Sequence, residues 1–215
     1  MILDVGLREE KKQATRTAIA DAALGLFLDR GFDRVTVADV ARAARVSVNT
    51  AFNYFPTKED LFFDRQDEVV QRLPAVVRAR EPGESAVAAL RRAFLAELDR
   101  NEATLGLNPG MAEFWRVVEE SAALQARLRQ MRDQTEAALA EALRSATGAT
   151  AEDPMPRIAA ALLVAADSAL HAEIRRRVRA GETPDSVRTE VRRAAELTFG
   201  ALETGLTTYA AREPG

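Results

Sequence analysis

Cysteine is absent from this 215-residue chain, and histidine occurs once, at position 171. Without thiols there is no disulfide and no thiolate metal site, and a reducing compartment is the natural setting. One imidazole excludes a multi-histidine metal site, and any histidine-dependent triad has to be built on His171. An enzyme is therefore disfavoured, with a carboxylate-based site the one route left open. Long apolar runs are missing too, so no membrane span is expected. The opening MILDVGLREEKKQ is unlike a secretory signal, because it carries acidic residues and no long apolar centre. A cytoplasmic protein with neither metal nor cofactor is expected. β-Branched residues never alternate over a useful length, which leaves no strand signal.

Charge is plentiful but uneven. The net charge is −3, yet residues 8–58 hold nine Lys/Arg against six Asp/Glu. A basic head on an acidic body suits DNA at one end. A chance fluctuation on a solvated surface gives the same count.

Alanine, leucine, glutamate and arginine dominate, so the chain reads as helix throughout. The expected class is all-α: a three-helix head containing a helix-turn-helix, then a longer helical body, about nine helices in all. The domains are expected at residues 11–56 and 57–213. A first helix is predicted over about 11–30, where Ile19, Ala22, Ala23, Leu26 and Phe27 make one apolar stripe. Gly31 suits the left-handed stop that ends it. Thr36 opens a short helix, and Asp39 completes a capping box. After a turn at Ala44, Arg45 and Val46, Ser47 caps a third helix. Thr57 caps a fourth, and Pro56 keeps the two apart. Two short helices around a tight turn form a helix-turn-helix. The second is expected to expose Val48, Asn49, Ala51 and Asn53, small or polar side chains able to approach base edges.

The fourth helix is expected to run unbroken to about residue 80. Five more follow. Ser85 caps one with Val87, Leu90, Phe94 and Leu98 inward, and a short one carries Met111, Phe114, Trp115 and Val118. Another spans about 121–146. Pro154 opens the next, whose stripe is Ile158, Leu162, Ala165, Ala169 and Ile174. The last holds Val187, Val191, Leu202, Leu206 and Tyr209.

The segment TVADVARAARVSVNTAFNYFPTKEDLF combines a Thr-capped helix, an Ala-rich turn, a Ser cap, an aromatic-x-Tyr-Phe ending and a capped Lys-Glu. It resembles the DNA-binding head of the tetracycline-repressor (TetR) family, over roughly residues 11–63. The resemblance implies phosphate contacts from Thr36, Thr50, Tyr54 and Lys58, and base reading by Asn49 and Asn53 with Val48 nearby. With Arg45 and Ser47 of the turn, these make the DNA-facing set. Read on its own, Tyr54 is either such a contact or core. Lys58 opens a helix, where an ammonium and a helix N-terminus can address one phosphate. The family usually has glycine where Arg45 stands. If that position needs positive φ, arginine costs about 1 kcal/mol. Phe52 stands where many relatives have tyrosine, so a phosphate-bonding hydroxyl is missing.

The resemblance also implies a homodimer through the last two helices, a double-stranded palindromic operator, and release by a small, largely apolar effector. Phe94, Leu98, Met111, Phe114, Trp115 and Met131 either line the effector pocket or fill an ordinary core. Asp167 and His171, one helical turn apart, are either its polar anchor or a satisfied core or interface pair. The alternative function is a small-molecule-binding helical protein that has lost DNA recognition.

Overall fold

The computed structural model describes residues 2–108 and 110–206. Among them are ten α-helices and no strand. In chain order they are α1 (Ile2–Arg30), α2 (Val37–Ala43), α3 (Val48–Tyr54), α4 (Lys58–Phe62), α5 (Gln66–Arg78), α6 (Ala86–Asp99), α7 (Met111–Glu120), α8 (Ala122–Thr147), α9 (Met155–Arg179) and α10 (Pro184–Leu206). Tyr209 and the end of the expected second domain, at residue 213, lie outside the described residues.

The chain divides into two compact units. The first takes residues up to Gln66 together with Glu113–Leu128. In it α1 packs on α2 and α4, and α2 packs on α3. Ile19, Ala23 and Phe27 of α1 are fully buried. Phe27, Phe32, Phe62, Phe63 and Phe114 form an aromatic cluster, with Phe62 stacked on Phe114 at 4.5 Å between centroids. Such pairs add to burial when offset or edge-on.

The second unit takes Asp67–Ala112 and the chain from Arg129 onward. Here α10 packs on α6 and α9. Val87, Leu90, Phe94 and Leu98 of α6 meet Leu163, Leu170 and Ile174 of α9 and Val187, Val191 and Phe199 of α10 in one core.

Three expectations need correction. The fourth helix is not continuous: α4 stops at Phe62 and α5 begins at Gln66. Successive residues of a helix point about 100° apart, yet Phe62 and Phe63 are both buried in the same cluster. The break lets Phe63 turn inward. Ala51 is fully buried rather than exposed, closing α3 onto the head. The stripe read on α9 is mostly the outer one. Ile158, Leu162, Ala165 and Ala169 are exposed, while Ala159, Leu163, Ala166, Leu170 and Ile174 face the core. The helix is apolar on two sides, and period alone does not say which side has intramolecular partners.

Candidate nucleic-acid interface

The reading helix is positioned by caps and a turn, each local. At Thr36 the Asp39 amide donates to the threonine hydroxyl oxygen at 3.2 Å, and the Thr36 amide donates to the Asp39 carboxylate at 3.0 Å. The Thr36 hydroxyl also donates to that carboxylate, at 2.6 Å. These bonds from Thr36 hold the Asp39 carboxyl below its ordinary range, with Arg42 adding to them. The exposed Thr36 hydroxyl is thus already engaged in the cap.

α2 ends in a Schellman turn. The Val46 amide donates to the Ala41 carbonyl at 2.9 Å, and the Arg45 amide to the Arg42 carbonyl at 3.2 Å. Arg45 occupies the left-handed position at φ 57°, where a β-carbon costs roughly 1–2 kcal/mol. Its side chain is exposed. Ser47 then caps α3, its oxygen accepting from the Thr50 amide at 3.0 Å and lying 2.7 Å from the Thr50 hydroxyl.

On α3, Ala51 and Phe55 point inward at 0% and 1% exposure. Val48, Asn49, Phe52 and Asn53 are exposed, and Tyr54 is half-buried. The Arg16 guanidinium lies 4.4 Å from the Phe55 ring centre and donates to the Asp64 carbonyl at 2.7 Å. This closes the back of the unit.

Thr57 caps α4 in a second box with Asp60. Lys58 is half-buried, with its ammonium 4.2 Å from the Phe32 ring centre, a cation–π distance. Burial lowers its pKa, and Asp33 and Glu59 oppose that shift. Asp60 is nearly enclosed. It accepts from the Thr57 amide at 2.9 Å, from Gln66 at 2.8 Å and from Arg127. Burial alone would raise its carboxyl, but the bonds from Thr57 and Gln66, with the Arg127 charge, outweigh it and hold it below the usual range.

The residues considered for an effector fall in different places. Phe114 and Trp115 belong to the first unit, their rings edge-to-face at 5.3 Å. Phe94, Leu98 and Met131 are buried in the second unit, and Met111 is half-buried there. Asp167 accepts both of its bonds from Arg72, at 2.6 Å each, and Arg72 also donates to Glu97 at 3.0 Å. His171 lies edge-on to Phe94 at 5.8 Å, with Nδ1 2.9 Å from the Asp167 carbonyl. Sequence reasoning missed Arg72 and Glu97, which lie 95 and 70 residues before Asp167. A cleft of about 260 Å³ in this unit is lined by Asp133, Glu136, Ala137, Ala140 and Arg157, none of them an expected effector residue.

Residues 19–64 match the family described as bacterial regulatory proteins, tetR family. The chain is 34% identical over 95 residues to the HTH-type transcriptional regulator TcmR of Streptomyces glaucescens, covering 44% of this chain and 42% of that protein. It is 46% identical over 54 residues to the HTH-type transcriptional regulator LuxR of Vibrio harveyi, covering 25% and 26%. The matches thus span less than half the length of these curated relatives. Among solved structures, NalD of Pseudomonas aeruginosa, the secondary repressor of the MexAB-OprM multidrug efflux pump, is similar at a TM-score of 0.56. The two are 20% identical over 87% of this chain and 96% of that one. A TetR transcriptional regulator from Rhodococcus sp. RHA1 is similar at a TM-score of 0.50 and 19% identity, over 88% and 97%. At such identities the likeness is one of fold.

Proposed function

We propose that this chain, a member of the tetR family of bacterial regulatory proteins, is a transcriptional repressor that binds a palindromic operator as a homodimer and is released by a small, largely apolar effector. The observation that carries the reading is α3: capped by Ser47, sealed inward by Ala51 and Phe55, and exposed at Val48, Asn49, Phe52 and Asn53. Exposed amides at Asn49 and Asn53, with exposed Arg42 and Arg45 shortly before them in the chain, favour this reading over a helix that has lost DNA recognition.

In this reading Asn49 and Asn53 read bases, while Arg45, Ser47, Thr50, Tyr54 and Lys58 meet the backbone; Thr36, whose amide and hydroxyl both donate to Asp39, would have to open its cap to join them. Lys58→Ala is expected to weaken binding to every duplex alike and to lower the salt slope by about one per head. Asn49→Ala is expected instead to relax one base position per half-site, at about 1–3 kcal/mol. Anisotropy titrations on operator variants at several salt concentrations separate the two. Identical sequence profiles for both mutants would remove the division into backbone and base readers.

The second copy is proposed to sit on α9 and α10. Met155, Ile158 and Leu162 are 38%, 49% and 45% exposed, and Leu197 is 67% exposed. Exposed Ala165, Ala169 and Ala172 continue the α9 row. A contiguous apolar row in water marks a partner surface, and a two-fold pairing of two such helices makes a four-helix bundle. At micromolar concentration the protein is expected to sediment as a dimer, and Leu162→Glu as a folded monomer. A wild-type monomer would remove this claim and, with it, the two-half-site operator.

For the effector, the second unit holds Phe94, Leu98 and Met131 buried, with His171 as a polar neighbour of Phe94, so a pocket lined by them would have to open on binding. A ligand shifts operator binding only by its difference in affinity for the two conformations. A hundredfold loss of operator affinity requires about 2.7 kcal/mol of coupling.

A further inference from the structure

We propose that Val48 and Phe52 form an apolar reading row that takes up thymine C5-methyl groups in the major groove, so that α3 selects A·T pairs through two parallel rows. The inference rests on the DNA-binding reading above and names what the face prefers.

Residues four apart lie on one ridge of a helix. Val48 and Phe52 therefore share a ridge, and Asn49 and Asn53 share the adjacent one. Val48 is 40% exposed and Phe52 44%, whereas Ala51 and Phe55 on the inner side are 0% and 1%. The core-facing side of α3 is thus filled, and the Val48–Phe52 ridge is a second apolar surface that flanks it and stays exposed. Beside that ridge stand exposed Asn49 and Asn53, and upstream come exposed Arg42 in the last turn of α2 and exposed Arg45 in the turn. This narrow apolar strip, bordered by amides and cations, is complementary to a polyanion that bears isolated methyl groups.

Base-edge chemistry supplies those methyls. Each A·T pair presents adenine N6 and N7 to a side-chain amide and, from the opposite strand, the thymine C5-methyl to an apolar group. A phenyl ring has no donor for a phosphate, so Phe52 contributes only through apolar contact. The two ridges would then address the two strands of the same or neighbouring A·T pairs, and the Schellman turn and the Ser47 cap fix the angle at which they do so.

The test begins with purified full-length protein selecting from a random 30-base-pair duplex library. The enriched duplex is then remade with deoxyuridine for individual thymidines, which deletes only the methyl. Wild type should lose about fourfold affinity per methyl contacted, the worth of one buried carbon. Phe52→Ala should bind the thymidine duplex more weakly and show no loss on deoxyuridine at the Phe52 position, while Phe52→Tyr should keep the sensitivity. Circular dichroism checks that the variants are folded, as expected for an exposed site. An enriched sequence that tolerates deoxyuridine everywhere, or a loss that Phe52→Ala and Val48→Ala both retain, would overturn the methyl-reading row and leave the repressor reading standing. No enriched sequence at all would overturn both.

Discussion

Arg72→Met is expected to destabilise the protein by about 3–5 kcal/mol at neutral pH, the usual result of leaving buried charges unpaired. In the second unit the Arg72 guanidinium donates to both Asp167 oxygens at 2.6 Å and to Glu97 at 3.0 Å. The three side chains are 18%, 14% and 10% exposed. Methionine fills similar space but strands two carboxylates. Burial raises the Asp167 carboxyl, but His171 and Arg72 outweigh it, so the folded value lies below that of ordinary aspartate. The stability Asp167 contributes is therefore fully present above the unfolded value of about 3.9 and is lost as pH falls through the folded value. The variant has the opposite sign. Without Arg72 burial outweighs the His171 charge at Asp167, its carboxyl binds a proton more readily than in the unfolded chain, and the penalty shrinks as pH falls. Urea unfolding at pH 7 and pH 4.5 measures both. A gap between wild type and variant that stays constant across that range, or is under 1 kcal/mol at pH 7, would show that the cluster does not act as a buried ion pair.

Phe62→Ala is expected to cost about 3–5 kcal/mol, the range for deleting a core aromatic. Phe62 is 3% exposed and is ringed by other aromatics. Phe114 stacks on it at 4.5 Å, Phe63 is edge-on at 5.0 Å, and Phe27 and Phe32 lie at 5.9 and 6.0 Å. Because these rings join α1, α4 and α7, little of the resulting void can close by local adjustment. Phe62→Leu, which keeps more of the volume, should lose distinctly less. Duplex binding should fall with stability, since the same cluster supports the Phe32 ring under Lys58. Urea unfolding followed by circular dichroism gives the cost. A value under about 1.5 kcal/mol would mean that the cluster repacks around alanine.

What the sequence by itself determined is the part of the molecule that depends on near neighbours. The caps at Thr36, Ser47 and Thr57 involve partners three residues away, and the structure places each of them as the pattern required. The positive φ of Arg45 follows from the tight turn between two short helices. The all-α class follows from composition and period, which act along every stretch of the chain.

Tertiary structure alone decided which apolar side of a helix is inside. The α9 stripe was legible, but its exposure was not, because α9 has apolar residues on two sides and only packing selects between them. The break after α4 arises because Phe62 and Phe63 meet rings from α1 and α7. Phe114 and Trp115 likewise belong with the head's phenylalanines rather than with Phe94 and Met131. The Arg72–Glu97–Asp167 cluster joins residues from three helices. A cap is a bond within one turn of chain, written in local order. A buried ion pair or an aromatic cluster is a meeting of distant segments, and no local pattern encodes which segments meet.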